Sequence, residues 1–168
     1  MIHFEELIIG GDLRSIGRSD KLVRLINNQK SFDRLFENLF HSDRKIVMRT
    51  ADAIEKITLK NSDFLRPHKK SVLGLCETAV NKELKWHLAL LVPRLLLSQQ
   101  EIGKIWQKLR KWALDKNESK IVRVNSLQGL HNLLKQSKEL MTDFYLIFSE
   151  LENANIPSIN ARIWKLKK

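Results

Sequence analysis

Large apolar residues return every three or four positions along almost the whole chain, the spacing of one buried face of an α-helix. Leu22, Val23, Leu25 and Ile26 mark a short helix from about Ser19. Phe32, Leu35, Phe36, Leu39 and Phe40 mark the next, with Ser31 as its expected cap. Asp43 is placed to cap a longer helix carrying Ile46, Val47, Thr50, Ala53, Ile54 and Ile57. Pro67 suits a first helical turn and predicts a helix through Ala79. A helix from about Lys82 follows, with Leu84, Leu88, Leu91, Val92 and Leu95. Ser98 and Glu101 form a capping box for a helix with Ile102, Ile105, Trp106, Leu109, Trp112 and Ala113 inward. Further helices are predicted from near Glu118, from Ser137 and from Pro157. No run with period two interrupts the series.

The helices repeat. Ile46, Leu84 and Val122 open similar segments 38 residues apart, and Ile159 opens a fourth 37 residues later. Large apolar, small and polar residues keep their places across these segments. A period of this size signals stacked helical hairpins, because one hairpin cannot cover its own apolar face.

Asp43 with Ile46-Val47 and Thr50, and Val122-Arg123 with Ser126, resemble the HEAT repeat: a turn Asp, an aliphatic-basic pair, and a small residue one turn on. The stretch Met48 to Lys56 also looks like that of small bacterial HEAT-repeat proteins. The resemblance covers Ser31 to the C-terminus, with a shorter period and fewer turn Asp residues than is usual. It implies an all-α, α-α superhelix, a HEAT-like solenoid of about four helical pairs plus an N-terminal helix. The corresponding division is a lead-in segment, 1–18, and a repeat domain, 19–168. It also implies that the second helix of each pair lines a concave, ligand-binding side.

Composition narrows the chemistry. Hydrophobic residues are 43% and charged residues 29%, which gives a foldable core and excludes global disorder. The single cysteine, Cys76, cannot form an internal disulfide and sits in an apolar run, so it reads as a small buried hydrophobe in a reducing, cytoplasmic setting. The N-terminus is acidic where a signal peptide is basic, and Pro93 and Arg94 break the most apolar stretch. No phosphate loop, nucleophile elbow or local His-rich metal motif occurs, so no catalytic residue, metal or cofactor is assigned.

The net charge of +11 points to phosphate, anionic lipid or acidic protein as attractive surfaces. Two constellations can focus it. The repeat places Arg49, His87, Asn125 and Arg162 at one position of successive second helices, flanked by Asp52, Gln128, Lys56 and Arg94 and by the Trp86 ring. Such a row is either a binding ladder on the concave side or the solvated flank of core-packed helices. Lys104, Lys108 and Lys111 form a basic stripe at i, i+4 and i+7 of a first helix, where a solvated convex face is the plain alternative. The expected function is a non-enzymatic scaffold whose concave face engages an anionic partner, protein or nucleic acid. The alternative is a HEAT-like alkylpurine DNA glycosylase, with Trp86, Arg49 and Asp52 standing for the aromatic, Arg and Asp residues those enzymes use.

Overall fold

The computed structural model describes residues 22–167; the expected lead-in at 1–18 lies outside them. The chain forms two compact units, the first ending at His68 and the second starting at Lys69. Every bounded element among the described residues is helical.

In the first unit, Leu22–Leu25 are helical and α1 spans Gln29–Glu37. Asn28, not Ser31, is its N-cap. The Asn28 side chain accepts from the Ser31 amide at 2.9 Å while Ser31 Oγ accepts from the Asn28 amide. The helix therefore begins two residues before the cap that apolar periodicity selects, because a Ser at the third helical position can close the same reciprocal box. A 3-10 turn, Asn38–Phe40, leads to α2, Arg44–Lys60, which Asp43 caps through the Lys45 amide at 2.8 Å. Phe32, Leu35, Phe36, Ala51, Ile54 and Leu65 fill the core of this unit. Phe64 stacks on Phe32, and the His68 ring stacks on Phe36 at 3.9 Å. His68 Nε2 also bonds Asp33 Oδ1 at 2.7 Å. Pro67 ends up inside a 3-10 segment, Ser62–His68, and the next helix starts two residues after it.

The second unit is a series of helical hairpins. They comprise α3 (Lys69–Thr78), α4 (Lys82–Leu91), α5 (Gln99–Leu114), α6 (Lys120–Leu133), α7 (Met141–Asn153) and α8 (Pro157–Leu166). α6 packs against α4, α5, α7 and α8, while α5 packs against α3, α6 and α7. First helices thus neighbour first helices and second helices neighbour second helices, in two rows. Positions of the second unit that the 38- and 37-residue spacing aligns share burial. Leu84, Val122 and Ile159 are buried, as are Leu88, Ser126 and Ile163 one turn later.

Gly129 marks a close crossing of α6 with α4. A Cβ there would run into the Ala89 carbonyl oxygen of α4 and lie 2.9 Å from Leu109 Cδ1 of α5. The loop after Pro93 is fastened by Gln136 and by Lys69, whose Nζ donates to the Leu96 carbonyl at 2.8 Å. Gln136 Nε2 donates to the carbonyls of Pro93 and Leu95, and its Oε1 accepts from the Leu97 amide at 3.1 Å. Arg123 is 5% exposed and donates from Nε to the Ala113 carbonyl at the end of α5. It therefore serves to cap the end of α5.

Candidate anion-binding groove

α5 is held at both ends and along one face. Ser98 and Glu101 close its capping box, the Ser98 amide reaching Glu101 Oε2 at 2.7 Å. Lys69 of α3 then pairs with the same carboxylate at 2.6 Å. This lysine, first, and the Ser98 amide hold the Glu101 carboxyl below its ordinary range. Ile102, Ile105, Trp106, Leu109, Trp112 and Ala113 face inward. Trp106 Nε1 donates to Asp143 Oδ2 at 2.6 Å, so the ring's polar edge is satisfied on α7.

The remaining face of α5 is polar. Gln100, Lys104, Gln107 and Lys111 follow one another at steps of four, three and four residues, and all are exposed. With Gly103, Lys108 and Glu77 they line an open groove of about 800 Å³. Lys108 is the wall between the helices: its Nζ donates to the Glu77 carbonyl oxygen at 3.1 Å and lies 3.5 Å from the Glu77 carboxylate. Lys108 and Lys85 both lie near the Trp112 ring, at 6.0 and 5.9 Å from its centre, and Lys85 is half-buried in an ion pair with Glu118. Lys104 and Lys111 therefore present their ammonium groups to solvent about 10 Å apart along the axis, two helical turns. Gln100 and Gln107 add amide donors to the same face. Gln100, Gln107 and Glu77 were not singled out by sequence reasoning; continuing the lysine spacing one step on either side recovers the two glutamines.

The residues expected on the concave ladder fall into three groups. In the first unit, Arg49 is half-buried, and Asp52 and Lys56 pair with each other at 2.9 Å. In the second unit, His87 is 6% exposed and its ring lies 5.5 Å from that of Trp86. Asn125 is 9% exposed and its Nδ2 donates to the Trp86 carbonyl at 3.3 Å. Farther along, Gln128 Oε1 accepts from Arg162 Nη1 at 2.6 Å, and Gln128 Nε2 donates to Asn132 Oδ1 at 3.0 Å. Arg94 is half-buried in a 3-10 turn, Val92–Arg94. The structure thus brings Trp86, His87 and Asn125 together, and Gln128 with Arg162, as bonds between neighbouring second helices.

Cys76 is buried, and desolvation pushes its thiol up to about 12, so it carries no thiolate chemistry near neutral pH. Among the described residues there is no group of three or more His, Cys, Asp or Glu placed to hold a metal, and no helix long and apolar enough to cross a membrane. The chain matches no protein-family description, curated protein or solved structure with which it was compared.

Proposed function

We propose that this chain is a non-catalytic, HEAT-like helical-repeat protein that binds an anionic partner, nucleic acid or acidic protein, through charge. The observation that carries the reading is the lining of one open groove by Lys104, Lys108 and Lys111 on a chain of net charge +11. Two rows of hairpin helices in the second unit and repeat positions that share burial support the solenoid reading. The residues expected on the ladder are the second candidate contact the reading allows, with Arg49 in the first unit and Arg162 in the second each taken by itself. The base-excision alternative draws less support, since Asp52 spends its carboxylate on Lys56.

A salt-titrated binding assay with single- and double-stranded DNA and RNA tests the reading. Binding is expected at low salt and to fall steeply towards physiological salt. Lys104→Glu/Lys111→Glu is expected to weaken it by about tenfold or more and to flatten the salt slope by about two units. Loss in Arg49→Ala/Arg162→Ala with no change in the lysine variant moves the contact to the ladder. No nucleic-acid binding at low salt leaves an acidic protein as the partner, and acidic polypeptide binding that ignores both double variants overturns the reading.

A further inference from the structure

α7 differs from the rest of this basic chain. It carries Asp143, Glu150 and Glu152 and neither Lys nor Arg. Asp143 is committed to Trp106 and lies 4.0 Å from Arg110. Glu152 faces a pocket of about 410 Å³ formed by α7 with the ends of α6 and α8. That volume is in the range of small-ligand sites. Its walls are aromatic: His131, Phe144, Tyr145 and Phe148, with Met141 beside them. The Phe144 ring lies 5.7 Å from both His131 and Phe148 and 6.3 Å from Tyr145. Tyr145 is 62% exposed and Met141 38%, so the aromatic wall opens to solvent on that side.

A ring wall with a carboxylate at its mouth is a cation site in chemical terms. Ring faces attract alkylammonium groups through their quadrupole, and the carboxylate supplies the opposite charge. The structure already displays this use. The Lys167 ammonium lies 5.4 Å from the centre of the Phe148 ring and pairs with Glu152 Oε1 at 2.7 Å. Lys167 is itself half-exposed, so the chain's own ammonium sits at the pocket mouth as a displaceable occupant. His131 does not oppose a cation there: burial, and after it the neighbouring Lys135, holds its imidazole below the ordinary value, towards the neutral form.

We propose that the pocket between α6, α7 and α8 binds a small organic alkylammonium ion against Phe148, Tyr145 and Glu152, and that Lys167 competes for the same place. This site is separate from the lysine groove of α5 and stands or falls independently of it. The probe is choline, with its uncharged isostere 3,3-dimethyl-1-butanol as control, followed by NMR of the Met141 methyl and the aromatic rings of the full chain. Choline is expected to shift these signals in a saturable way, and the alcohol to shift them far less. Lys167→Ala is expected to tighten choline binding about fivefold, by removing the intramolecular competitor. Adding Glu152→Gln or Tyr145→Ala to Lys167→Ala is expected to weaken it again; both positions are solvent-facing, so the fold is retained. Absence of choline shifts in both the wild type and Lys167→Ala overturns the proposal. Equal response to choline and the alcohol also overturns it, by showing an apolar cavity with no preference for charge.

Discussion

Two polar rows in the second unit use the same residue types for opposite ends. On α6, Asn125 and Gln128 lie between second helices, and their amides bond Trp86, Asn132 and Arg162. On α5, Gln100 and Gln107 alternate with Lys104 and Lys111 on a face open to solvent. The difference follows from neighbours. α6 is packed by helices on several sides, so a polar residue there must find a protein partner or be left unsatisfied. α5 keeps one side on which Gln100, Lys104, Gln107 and Lys111 are all exposed among the described residues, so its polar residues there can stay long, charged and hydrated. A row of polar residues therefore signals a binding face only where the helix has a side left over.

The comparison breaks most sharply at Gly129, where α6 meets α4. Gly129→Ala drives a Cβ into the Ala89 carbonyl, which is backbone and cannot swing aside. A loss of about 3 kcal/mol is expected, read as a lower urea midpoint, with the lysine groove of any surviving folded protein intact. A paired substitution then sharpens the contrast. Gln128→Leu leaves the Arg162 guanidinium without its 2.6 Å acceptor and is expected to cost about 1–2 kcal/mol. Gln107→Leu on the open face of α5 is expected to stay within about 0.5 kcal/mol. Equal costs in urea melts would show that the two rows do not differ as described.

The smallest effect is electrostatic. The folded Glu101 carboxyl lies below its ordinary value of 4.5, chiefly through Lys69. A group whose folded value is depressed stabilises the fold above its unfolded value, and this is lost as pH falls through the folded one. The pH dependence of stability below about 4.5 should therefore be shallower in Lys69→Met than in the wild type, measured by thermal melts at matched ionic strength.

Much of this architecture was legible because burial follows periodicity. Ile102, Ile105, Trp106 and Leu109 are inward as their spacing demands, and the 38-residue recurrence picks out positions that are buried together. Caps at Asp43 and Ser98 were legible because each needs only residues within one turn. What failed to read was anything whose reason lies on another helix. His87 and Asn125 look like polar surface residues in sequence, yet a neighbouring helix covers them. Arg123 reads in sequence as the basic member of the Val122-Arg123 pair, yet its Nε finds the Ala113 carbonyl. The aromatic pocket escaped notice because Phe144 and Phe148 satisfy a core pattern, and only their relation to Tyr145, Glu152 and Lys167 gives the cluster a mouth.

The bonds that fasten one hairpin of the second unit to the next have a common reach. Lys69 to Glu101 spans 32 residues, Arg162 to Gln128 spans 34, Trp106 to Asp143 spans 37 and Gln136 to Pro93 spans 43. Each joins a hairpin to its immediate successor. Cohesion in such an arrangement passes from neighbour to neighbour, as in a one-dimensional chain of coupled switches. Within the second unit α6 packs against α4, α5, α7 and α8, so its amides are expected to stay protected longest in hydrogen exchange.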